Sequence, residues 1–97
     1  MNDSAAINEI SLYLYQAILE LQQQQSELLK EKYRKIAWDK PRHQSAFLAN
    51  LKSELSQEQD WPRRIIKVRK LLQVLFIPSY FNSPSFRELT QKLRHSI

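Results

Sequence analysis

Wound at 100° per residue, Ile7, Ile10, Leu14, Ala17, Ile18, Leu21, Leu28, Leu29 and Ile36 fall on one arc, and Glu9, Gln16, Glu20, Glu27 and Arg34 fall opposite. No proline interrupts residues 4–37, and Asp3 or Ser4 can cap the start. The spacing therefore predicts helix throughout this stretch. An unbroken helix of 34 residues would run about 50 Å, while a compact chain of this size has a radius of gyration near ~13 Å. So the helix must break, protrude or pair with a copy of itself. The place for a break is the glutamine tract 22–25 with Ser26, where Gln25 sits at the centre of the arc. That tract reads either as an exposed helical turn or as a polar notch setting register between helices.

Leu12, Tyr15 and Leu19 widen the apolar arc between Ile7 and Leu21. This is more surface than three short helices easily cover. Ile7, Ile10, Leu14, Ile18 and Leu21 are therefore the expected partner interface of a homo- or hetero-oligomer.

Trp38-Asp39-Lys40-Pro41 marks a turn, because the residue before a proline is pushed out of helical geometry. Residues 42–58 form a second helix with a narrow stripe of Phe47, Leu48, Leu51 and Leu55, suited to the surface of a bundle. Asp60 caps a third helix with Pro62 in its first turn. There Trp61, Ile65, Val68, Leu72, Leu75 and Phe76 share an arc, with Arg63, Lys67 and Lys70 opposite and Arg64 and Arg69 at its edges. Leu71, Val74 and Ile77 also ask for cover. The connection 78–84 carries Tyr80 and Phe81, too apolar for an exposed loop, and should fold onto the core. A last helix begins at Ser83 or Ser85, where Ser85-Phe86-Arg87-Glu88 fits a capping box and Phe86, Leu89, Leu93 and Ile97 make the stripe. The expectation is an all-α bundle of four helices, or five if the first breaks, over residues 1–97 as a single domain.

Composition narrows the chemistry. The 97 residues include no glycine and no cysteine. Phosphate-cradling loops, nucleophile elbows and most hairpin turns need glycine, and thiolate metal sites need cysteine. His43 and His95 are isolated, so neither a metal site nor any cofactor is expected. The carboxylates fall on helix faces that look exposed, which gives no route to a raised carboxyl pKa. A non-catalytic protein is the expectation. The start, with Asp3 and Glu9, does not read as a signal peptide, and no apolar run approaches the roughly 20 residues of a membrane span. Together with the absence of cysteine this suggests a cytoplasmic protein.

Net charge is +5 and unevenly placed. Residues 1–29 hold four acids and no base; residues 61–77 hold five bases and no acid. Arg63 and Arg64 stand in a first helical turn, where the dipole is already positive and acids are the usual occupants. Arginine forks beside first-turn N–H groups suit a phosphate or carboxylate. Arg63, Arg64, Lys67, Arg69 and Lys70, with Lys35, Lys40 and Arg42, are therefore the candidate contacts to a nucleic-acid backbone, DNA or RNA. The function this favours is a small subunit or adaptor within a larger assembly. The rival is a protein-interaction module whose basic face meets an acidic partner, or the chain's own acidic first helix.

Overall fold

The computed structural model describes residues 3–95. Five α-helices follow one another: α1 Asp3–Gln24, α2 Glu31–Arg34, α3 Pro41–Gln57, α4 Trp61–Leu75 and α5 Pro84–His95. Short 3₁₀ turns occupy Ser26–Leu28 and Pro78–Asn82. The all-α expectation holds, with the fifth helix produced by the break. Among the described residues no strand forms, no backbone φ is positive and no helix is long and apolar enough to cross a membrane.

α1 is the central rod. It packs along α3 on one side and α5 on the other, while α4 lies against α3. Ile7, Ile10, Leu14, Ile18 and Leu21 are each at most 5% exposed. They are core, which corrects the expectation of a partner interface. The covering comes from more than three short helices: Leu29, Trp38, Phe76 and Tyr80, all outside the long helices, join the same cluster. Asp3 is already helical, and its carboxylate turns to Arg64 instead of serving as the first cap.

α1 ends where the glutamines run out. Gln25 leaves helical geometry at φ −138°, ψ 56°, and is exposed. Gln22, not Gln25, makes the polar tether: its side-chain amide donates to the carbonyl of Ile36 and holds the chain that returns toward α3. After the 3₁₀ turn, Lys30 N–H donates to Leu75 O at 2.9 Å and Ile77 N–H donates to Leu28 O at 3.0 Å. This one-residue antiparallel bridge, Leu29 to Phe76, fastens the strip before α2 to the end of α4. Lys30 adds a side-chain bond from Nζ to Gln73 O at 2.5 Å.

Local expectations elsewhere are met in part. Asp60 accepts from Arg63 N–H at 3.0 Å, capping α4. The 78–84 connection folds inward, with Tyr80 fully buried and stacked on Phe76 at 4.0 Å between ring centroids. Between the two proposed starts of α5, Ser83 is the one that caps, its Oγ accepting from Phe86 N–H at 3.3 Å. Glu88 closes no capping box; it accepts from the Tyr13 hydroxyl of α1 at 3.3 Å. Of the residues expected to want cover, Leu71 and Ile77 are half-buried, but Val74 is 48% exposed and joins Ile66 on the open face of α4.

Candidate nucleic-acid interface

α4 is where the cations were expected to act together, and the fold separates them. Arg64 is 4% exposed. Its Nε donates to Leu55 O at 3.0 Å and to Glu58 O at 3.1 Å, and its Nη2 donates to Glu58 O at 2.8 Å. Those carbonyls end α3, so Arg64 supplies the positive cap that the negative end of that helix dipole favours. Nη1 stands 3.2 Å from the Asp3 carboxylate, an ion pair whose alignment makes no hydrogen bond. The guanidinium also lies over the Trp61 ring at 4.9 Å. This residue holds α1, α3 and α4 together and has no face left for an external phosphate. Its place among the expected nucleic-acid contacts is corrected accordingly.

The sequence carried a signal for this. Trp61, Arg64, Val68 and Leu75 recur at helical core spacing. Position 64 lies at the edge of that arc, one turn from Trp61 and one from Val68, and the fold buries it.

Lys67 is also largely engaged within the fold, with its ammonium 3.5 Å from the Glu58 carboxylate and 3.1 Å from Glu54 O. Arg63 is exposed and sits 3.7 Å from the Asp60 carboxylate, a loose pair in water. Arg69 and Lys70 are exposed, but their side chains diverge by about 100° around the helix. Arg69 turns toward α5; Lys70 stays on the open face with Ile66 and Val74. The acidic start of α1 does meet the bases within the fold, through Asp3 with Arg64 and Glu9 with Lys92.

The cation-rich stretch of residues 30–43 keeps its exposure at Lys35, Lys40 and Arg42. Lys40 and Arg42 stand free of the core at the start of α3, and Lys35 makes only an exposed pair with Glu31 at 3.8 Å. What the sequence did not predict is its placement. The Leu29–Phe76 bridge sets Lys30 against Gln73, one turn beyond Lys70, so the cations of α2 begin where those of α4 end.

Compared with protein-family models, curated proteins and solved structures, the chain matches none.

Three tyrosines titrate above their ordinary range. Burial, then the charge of Tyr13, pushes Tyr80 far up. Burial, then the Glu88 carboxylate, raises Tyr13; burial, then Asp39, raises Tyr15. In each case the neutral phenol is the form the fold favours. Two cavities flank the Trp38–Phe47 ring pair, whose centroids are 5.6 Å apart: one of about 210 Å³ running on to Leu71 and Leu75, and an open apolar one against Ile36 and His43. Among the described residues no group of three or more potential metal ligands assembles.

Proposed function

We propose that the chain is a non-catalytic helical module of a larger assembly and binds the phosphate backbone of a nucleic acid. Its contacts would be the cations that the fold leaves outward: Lys70 and Arg63 on α4, Lys35 just after α2, and Lys40 and Arg42 at the start of α3. The observation that supports this is the backbone bridge between residues 28–30 and 75–77, which brings Lys30, at the head of one run of cations, against Gln73, one turn past Lys70. Arg64 and Lys67 drop out of the set, because their charges are used inside the fold, and so does Arg69, which turns toward α5.

Scattered point cations without a base-reading helix suit sequence-independent contact, and lysine serves this as well as arginine. Four or five phosphate contacts would make the logarithm of affinity fall with the logarithm of salt at a slope of roughly −3 to −4.5. The test is electrophoretic retardation of labelled single-stranded and duplex DNA and RNA across a salt series. The wild type is compared with Lys35→Glu/Lys70→Glu, both exposed enough to leave the fold alone. Retardation at low salt that the variant loses supports the reading. No retardation at low salt, or retardation unchanged in the variant, ends it.

A further inference from the structure

The groove between α4 and α5 has a chemistry different from the rest of the surface. Ile65 and Leu72 form one wall and Phe86 and Leu93 the other, enclosing about 190 Å³. Arg69 closes the α4 side and Arg94 the α5 side. A shallower hollow continues over Phe81 and Phe86 and adds Arg87 to the rim. No carboxylate lines either cavity, and among the described residues none of these three arginines makes an ion pair. The opposite side of α5 is the reverse, a cleft lined by Glu20 and Glu88. Arg94 at the last turn suits its own helix dipole; Arg87, near the first turn, does not.

The polar inventory of the floor decides what fits. The Thr90 hydroxyl is already donated to Phe86 O at 2.8 Å. Among the described residues the guanidiniums of Arg69 and Arg94 are then the only uncommitted side-chain donors lining the groove itself, and Gln91 adds an amide only in the shallower hollow. A nucleobase placed here would press its polar edges against leucine and isoleucine with nothing to bond, at a cost of about 1–3 kcal/mol for each unpaired group. An aliphatic or aromatic side chain meets no such penalty. The arginines then need anions beside that side chain, and they match carboxylates in fork geometry.

We propose that the α4–α5 groove docks an acidic peptide segment of a partner protein, one bulky apolar side chain entering between Leu72 and Phe86 and flanking carboxylates meeting Arg69 and Arg94. The site is independent of the nucleic-acid reading, whose residues lie on α4 away from α5 and between the end of α2 and the first turn of α3.

The test titrates the whole chain, followed by heteronuclear NMR and fluorescence anisotropy, with the labelled peptide acetyl-EDELFEDE-amide. Its comparators are the equally charged EDEAAEDE and a labelled single-stranded oligonucleotide. The expected result is saturable binding of the first peptide, with shifts centred on Phe86, Thr90 and Arg69, and at least about tenfold weaker binding of the alanine-core peptide. Arg94→Glu, an exposed substitution, should weaken the first peptide about tenfold or more while leaving the oligonucleotide unchanged. Phe86→Ala should do the same, and a melting curve shows whether it still folds; Arg94→Glu keeps the test decisive if it does not. Equal binding of both peptides would reduce the groove to general electrostatics and overturn the proposal. So would the absence of binding, or an oligonucleotide whose shifts centre on Phe86.

Discussion

Replacing Arg64 by alanine removes the cation on which three helices converge. The Glu58 carbonyl loses both of its bonds, while Leu55 O keeps the Glu58 N–H at 3.3 Å. Hydrogen bonds to a charged group contribute about 1.5–3 kcal/mol each way of counting, and a cation at a partly buried helix C-terminus up to about 2 kcal/mol. These overlap, since both describe the same guanidinium at the same carbonyls. The packing over Trp61 is lost as well. An expected loss of about 3 kcal/mol is a large fraction of the roughly 5–15 kcal/mol by which small domains are stable. At about 4–8 °C per kcal/mol it lowers the melting temperature by roughly 12–24 °C. Urea denaturation followed by far-ultraviolet circular dichroism measures it directly. Two further variants sharpen the result. Arg63→Ala loses only an exposed 3.7 Å pair and should cost under about 0.5 kcal/mol. Arg64→Lys places one ammonium where a fork spanned two carbonyls, and should recover only about half of the loss. If Arg64→Ala and Arg63→Ala fall within about 1 kcal/mol of each other, the capping role is refuted.

Tyr80→Phe should hold or raise stability, by up to about 1 kcal/mol, because the buried Tyr80 hydroxyl has no hydrogen-bond partner to lose; a fall above that size in a denaturant titration would show a bond at that oxygen. The raised tyrosines fix the sign of the alkaline limb. Tyr80 stays protonated in the folded chain while the unfolded chain ionises, so stability is full below about pH 10 and is lost above it, at up to about 1.4 kcal/mol per pH unit for this group. Phenolate absorbance that rises only with the unfolding transition checks this, and a stability flat through that range would contradict it. Gln22→Ala frees the carbonyl of Ile36 and should cost about 1 kcal/mol in the same assay, with hydrogen exchange rising first in residues 30–40.

Much of the framework was legible because it is local. The Asp60 cap, the proline-bounded ends of α3 and α4, and the inward fold of Tyr80 each depend on residues a few positions apart. The break of α1 was legible in place but not in mechanism, since the glutamine that tethers it bonds a carbonyl 14 residues away. The site was read less well. Helical spacing put Arg64 only at the edge of the core face, and nothing local announces that α3 ends within reach of its guanidinium. The width of the α1 arc was correctly seen and wrongly assigned. Its cover comes from residues such as Leu29 and Phe76, whose meeting across 47 positions leaves no periodic trace. The α4–α5 groove joins residues from two helices that each look ordinary alone.

The described backbone never enters the left-handed region, and the chain has no glycine to place there. At ordinary composition a chain this long would hold about seven glycines. Each such glycine would widen the unfolded ensemble by about 0.4–1 kcal/mol relative to alanine at a compatible position. On the order of 3–7 kcal/mol of disorder is therefore missing from the denatured side of the equilibrium. That quantity rivals the net stability of a small domain, yet no contact in the folded molecule displays it. This protein is held folded in part by the stiffness of the chain it would unfold into.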